Sequence, residues 1–249
     1  MKNIFLGIDY SLKSPAICII NNDTYKWISH PAPLPKKPDF ERQKNVTKLD
    51  DVKLIFKEER EVSEEYSKNE FSKINHYRQS ALAIIDLILD ELSADDVENS
   101  MVHIGFEGFS FGSASNNLID TIGATTCLKV LLIEKQVFKN YSLNIYSPKQ
   151  IKKLAGYGSY DKMDLFDVFI GNYDYIKVKY AENIKKDKKG NFKLDYNDEH
   201  LSGDFVEYCQ NLPIKRTVKK PKVPKPIDDL IDSYFVACCV RSKVLVNPV

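Results

Sequence analysis

The chain has 249 residues, 43% of them hydrophobic, and 36 Lys and Arg against 35 Asp and Glu leave a net charge of +1. A chain of this length buries about three-quarters of its unfolded surface, so folding needs no disulfide or metal staple. The near-neutral balance points to no class of partner, and only the local distribution of charge carries functional information.

The five cysteines (Cys18, Cys127, Cys209, Cys238 and Cys239) are odd in number and scattered, and they form no CxxC pair. The four histidines (His30, His76, His103 and His200) do not stand at ligand spacing from them. The expectation is reduced core thiols rather than a zinc site or a disulfide framework. The sequence enters a strand pattern without a cleavable leader, and no apolar run reaches the ~18 residues that span a bilayer. A cytoplasmic protein with no membrane partner is expected.

In chain order, NIFLGI (Asn3 to Ile8) reads as a buried strand ending at Asp9. Ala16–Ile20 reads as its antiparallel neighbour and Thr24–Ser29 as a third strand after the Asn21-Asn22-Asp23 turn. From Pro31 to about Lys73 a proline-rich connector leads into a charged excursion that is partly helical. His76–Leu92 places Ala81, Ile84, Ile85, Ile88, Leu89 and Leu92 at helical spacing. Val102–Phe106 is a strand ending at Glu107, Asn117–Val137 a long apolar helix, and Leu143–Tyr146 a short strand. Pro148 opens a short helix at a permitted first-turn position, stopping before Gly156 and Gly158. Lys162–Phe169 is a helix, Lys177 to about Pro224 is polar and lysine-rich, and Ile227–Val244 is a closing helix. Strands followed by strand–helix alternation predict an α/β fold with a mixed sheet flanked by helices.

Acidic residues stand where these elements end. Asp9 and Glu107 each close an apolar strand; on adjacent strands the two carboxylates would repel and invite a divalent cation. Asp229 and Asp232 share one helical face at i,i+3, and Asp228 with Asp232 is an equally feasible i,i+4 pair. Asp228 and Asp229 after Pro226 also read as an ordinary helix N-terminus. Asp232 lies a turn deeper in an apolar run, where an unpaired carboxylate is costly. Hard oxygen ligands of this kind suit Mg²⁺ or Mn²⁺. Three or four carboxylates holding two ions about 4 Å apart can clamp a phosphodiester for in-line hydrolysis without histidine, serine or cysteine.

The GIDxS strand, the apolar strand ending in Glu107, the KQIKK…GYGSYDK element and the DDxxD helix together resemble the RuvC family of Holliday junction resolvases. The resemblance covers about 130 of the 249 residues. It implies an RNase H-like sheet, with the first three strands antiparallel and the following ones parallel. It also implies a homodimer that nicks four-way DNA junctions with two Mg²⁺ ions per site, Mn²⁺ substituting. By the same resemblance Asp9, Glu107, Asp229 and Asp232 are the metal-binding carboxylates, with Asp228 the alternative to Asp229. Lys162 matches an active-site lysine, and Lys152 or Lys153 a second basic residue near the DNA. Phe109 and Phe111 are both candidates for an aromatic wedge that enters the junction. Tyr10-Ser11 stands where family members often carry Pro-Gly, and the lysine–glycine spacing is one residue shorter than in the bacterial enzyme. The expectation is a single RNase H-like nuclease domain over 1–249, with a charged insertion at about 31–73 and a lysine-rich one at about 177–225.

Glycines at 156 and 158 allow backbone to approach a phosphate closely, and Lys162 opens a helix where an anion is welcome. KRTVKKPKVPKP, at 215–226, carries six basic residues and no acidic one. It reads as an extended strap whose Lys219, Lys220 and Lys222 contact DNA phosphates in a salt-dependent manner, or as a solvated linker. Three other readings compete: an RNase H-like nuclease acting on RNA, RNA–DNA hybrid or other branched DNA; a nucleotide-binding protein of the actin/sugar-kinase type; and a DNA-binding scaffold without activity.

Overall fold

The computed structural model describes residues 1–33, 37–60, 62–109, 118–180, 198, 201–214 and 222–246. Its centre is β1 (Lys2–Asp9), in which five consecutive residues from Ile4 to Ile8 are buried. Such a run belongs to a strand covered on both faces. β1 pairs antiparallel with β2 (Ala16–Asn21), and β2 antiparallel with β3 (Thr24–Ser29). On its other side β1 pairs parallel with β5 (Ser100–Glu107), and β5 parallel with β6 (Asn140–Tyr146). The short β4 (Val52–Leu54) adds to the β3 edge, so the order is β4-β3-β2-β1-β5-β6. Three antiparallel strands followed by parallel ones, with β1 in the middle, is the sheet expected of the RNase H-like class.

Side chains alternate across this sheet and divide the apolar residues into two cores. Ile4, Leu6, Ile8, Val102, Ile104 and Phe106 pack under α2 (Tyr66–Asp90) and α4 (Leu118–Glu134). Phe5, Cys18, Ile20 and Trp27 pack on the opposite face. That face is covered by α5 (Pro148–Leu154), α6 (Lys162–Phe169), α8 (Asp204–Gln210) and α9 (Ile227–Val246). The remaining helices are α1 (Lys37–Val46), α3 (Ala94–Asn99) and α7 (Tyr173–Lys179).

Gly7 and Gly105 are register partners on β1 and β5 and lie under α9. A Cβ on Gly7 would overlap the backbone of Ser233 and Ala237, and one on Gly105 would run into Val240. The two glycines therefore let the helix backbone lie directly on the strand pair. Because Gly7 and Asp9 share a parity, as do Gly105 and Glu107, both carboxylates project on the α9 face.

Several elements differ from the sequence reading. α2 begins ten residues before His76, in turns whose outer surface carries the Lys68–Glu65 and Lys73–Glu70 ion pairs. Charged, solvated turns show no apolar period, so the start is invisible to periodicity. The 31–73 stretch contributes α1 and β4, whose Val46, Val52 and Leu54 are buried. Three strand residues are too few for alternation to show. In the lysine-rich stretch, α8 inserts Phe205 against Trp27, ring centroids 4.9 Å apart, with Val206 and Cys209 also buried. Among the described residues, no helix is long and apolar enough to cross a membrane.

Candidate metal centre

Asp9 ends β1 and Glu107 ends β5, directly beyond the paired residues Ile8 and Phe106. α9 adds acids from above: Asp229 and Asp232 share the helical face that carries Ser233, Val236 and Val240 toward the strands. Asp9, Asp229 and Asp232 each offer a carboxylate oxygen, all within 4.8 Å of one another. Glu107 stands beside this triad, near enough that its charge and that of Asp9 act on each other, and it is repelled by Asp232.

Asp228 and Asp229 have different roles in the geometry. Asp228 Oδ1 accepts the Asp229 backbone N–H at 3.0 Å, as an acid at a helix N-terminus does. Its Oδ2 accepts from Lys162 Nζ at 3.0 Å and pairs with Lys225 at 3.1 Å. Asp229 pairs with Lys225 through Oδ1, while its Oδ2 is buried without a hydrogen-bond partner. A buried carboxylate oxygen without a donor is costly, a cost that a bound cation would remove.

Lys162 occupies the first position of α6, which Asp161 and Asp164 close with a reciprocal capping box. Its ammonium group lies 2.8 Å from Asp232, 3.0 Å from Asp228 and 3.7 Å from Asp229. Lys152 is half-buried and draws the Glu107 carboxyl downward, whereas Lys153 faces solvent. Gly156 adopts φ = +133°, a conformation that favours glycine, and Gly158 packs over the Lys149 side chain. Phe109 is half-buried, its ring centre 6.0 Å from Lys129 Nζ. Phe111, Lys219 and Lys220 lie outside the described residues. Lys222 is exposed, and its neighbour Val223 is buried in the α9-side core, which pins that end of the 215–226 segment.

The residue that sequence reasoning passed over is Lys225. It is one of six basic residues in its segment, yet it stands four residues before Asp229 and three before Asp228, a spacing that pairs charges across one helical turn.

Among the described residues five carboxylates thus gather, and Lys162 and Lys225 contact three of them, Asp228, Asp229 and Asp232. Burial, then the charges of Glu107, Asp229 and Asp232, push Asp9 well above the usual carboxylate range. Burial and Asp232 raise Glu107 to about 7, and burial and Asp228 raise Asp229 to about 6. Burial also raises Asp232, against the pull of Lys162. The donor set is all hard oxygen, negatively charged and under-compensated, which fits Mg²⁺ or Mn²⁺.

No protein-family model and no curated protein matches the sequence. Solved structures similar to the chain include RuvC of Thermus thermophilus, at 12% identity over 96% of each chain with a TM-score of 0.42. They also include the same organism's RuvC in complex with Holliday junction substrate, at 10% identity over 96% of this chain and 95% of that one, TM-score 0.42. A third is the yeast mitochondrial Holliday junction resolvase Ydc2, at 14% identity over 94% of this chain and 75% of that one, TM-score 0.42. The fold assignment rests on strand order, and the site on carboxylate geometry, rather than on these likenesses.

The raised carboxyls couple the metal-free protein to pH. Glu107 holds its proton more tightly when folded, so the stability that it contributes is full below the unfolded value of 4.5 and is lost as pH rises through about 7. Glu107→Gln removes that loss. In EDTA, the melting temperature of Glu107→Gln minus that of the parent should grow between pH 5 and pH 8; a difference that stays constant would contradict the crowded-carboxylate account.

Proposed function

We propose that the chain is a Mg²⁺-dependent, structure-selective DNA endonuclease that resolves four-way junctions by phosphodiester hydrolysis. The observation that carries this reading is the convergence of Asp9, Asp229 and Asp232, with Glu107 beside them, at the strand ends of an RNase H-like sheet. Asp9, Asp229 and Asp232 would hold one ion, and Glu107, at the neighbouring strand end, would share a second. When bound, the ions supply Lewis acidity toward the scissile phosphate and the water that attacks it.

The chain's own contribution is positioning and charge. Parallel β1 and β5 hold Asp9 and Glu107 at neighbouring ends, and α9 holds Asp229 and Asp232 a turn apart on a rigid element. Lys162 and Lys152 bring positive charge to the acids and in this reading would receive a phosphate that the carboxylates alone would repel. Lys162 is also the catalytic-site lysine in this reading, and Lys222, next to pinned Val223, extends basic charge away from the centre. Lys219 and Lys220 continue that segment in sequence, and Phe109 follows Glu107 where a wedge would stand. The actin/sugar-kinase reading has less support, since such proteins add a second phosphate-binding hairpin to this kind of sheet.

The reading includes a homodimer, because two opposed strands of a junction call for two sites. α4 buries Ala124, Thr125, Leu128, Leu131 and Leu132 against the sheet and exposes Ile119, Ile122, Val130 and Ile133 on its outer surface. That apolar stripe is the proposed contact with a second copy.

Labelled four-way junction, flap, duplex and RNA–DNA hybrid, incubated side by side with Mg²⁺ and with EDTA, test the activity. Junction cleavage is expected with Mg²⁺ only. Asp9→Asn and Glu107→Gln should each lower it by at least about a hundredfold, the loss of several kcal/mol of transition-state stabilisation, while junction binding persists. Normal cutting by these variants would refute the metal-centre assignment, and preferred cutting of hybrid would move the substrate to RNA. For the dimer, light scattering should give twice the 28.6 kDa of one chain, and the double variant Val130→Glu, Ile133→Glu should give one chain. A monomeric parent would remove the dimer from the account.

A further inference from the structure

Lys225 has no part in the function proposed above, and its ion pairs among the described residues are with two acids of the cluster, Asp228 and Asp229. It immediately precedes Pro226 and the first turn of α9. A positive charge at a helix N-terminus opposes the helix dipole, so Lys225 is held there by the acids and not by the helix. Its ammonium group pairs with Asp228 at 3.1 Å and with Asp229 through Oδ1. Lys162, the other ammonium group in contact, lies closer to Asp232 and Asp228 than to Asp229. The chief cation on Asp229 is therefore Lys225.

The two partners differ in exposure. The Asp229 side chain is 2% exposed on a rigid helix, whereas that of Lys225 is 44% exposed on the preceding turn. Asp229 is enclosed, and Lys225 reaches it from the solvent side. Asp229 is also one of the three residues whose oxygens converge, and its Oδ2 remains buried without a partner even with Lys225 in place. A monovalent ammonium group thus sits on a carboxylate that it only half satisfies.

We propose that Lys225 is a built-in competitor for the divalent cation: its ammonium group offsets the charge of Asp229, and an ion entering the site must bind against it. The proposal rests on the metal-centre reading and deepens it by adding a tethered cation that sets the concentration of metal needed to load the site. Its energetic basis is that each point charge at the mouth of such a site shifts the binding of a divalent ion severalfold, even when solvent screens it.

The test is calorimetric titration of Mn²⁺ into metal-free protein without DNA, comparing the parent with Lys225→Met and Lys225→Arg. Melting in EDTA checks that each variant folds, and Lys225→Gln takes the place of Lys225→Met if the latter does not. Lys225→Met should bind Mn²⁺ at least about fivefold more tightly than the parent, and Lys225→Arg should bind like the parent. Equal or weaker binding by Lys225→Met overturns the competitor role while leaving the metal centre standing. No Mn²⁺ binding by parent or variant overturns the metal centre, and the competitor with it.

Discussion

The structure depends on one close approach. Gly7 and Gly105, side by side on β1 and β5, leave room for the backbone of α9 to rest on the sheet, with Ser233 and Ala237 against Gly7 and Val240 against Gly105. A side chain at Gly7 would lift the helix, and the lift would carry Asp229 and Asp232 away from Asp9. Packing geometry and site geometry are therefore one constraint: the glycine pair sets the height of the helix, and that height sets the separation of the carboxylates. The alternation of the strands does the rest by sending Asp9 and Glu107 to the same face as the helix.

That constraint has an electrostatic consequence. Carboxylates held together by backbone packing cannot move apart to relieve repulsion. The strain appears instead in raised proton affinities at Asp9, Glu107, Asp229 and Asp232 and in the gathering of Lys162 and Lys225 around the cluster. Each is what crowding of like charges produces. The apolar cores on the two sides of the sheet hold the site rigid, so charge and not conformation is left to adjust.

Much of this was legible in the sequence. The buried run of β1, the Thr24–Ser29 strand, the Lys162–Phe169 helix and the Pro148 helix start all follow from local pattern, because their apolar residues or caps are local signals. Strand ends at Asp9 and Glu107 were readable for the same reason. The different partners of Asp228 and Asp229 were not, since adjacent residues on one helix turn differ only in what lies opposite them. The same holds for Lys152 and Lys153. β4, the first turns of α2, and α8 were hidden because their burial comes from distant partners, such as Trp27 for Phe205, and not from their own periodicity. Lys225 was obscured by the run of lysines that precedes it.

The central claim is that Asp9, Asp229 and Asp232 form a divalent-cation centre. Anomalous diffraction from crystals of the protein soaked in Mn²⁺ tests it most directly. The account predicts an anomalous peak among the three carboxylates. A soaked crystal with Mn²⁺ bound elsewhere and none among Asp9, Asp229 and Asp232 would contradict it.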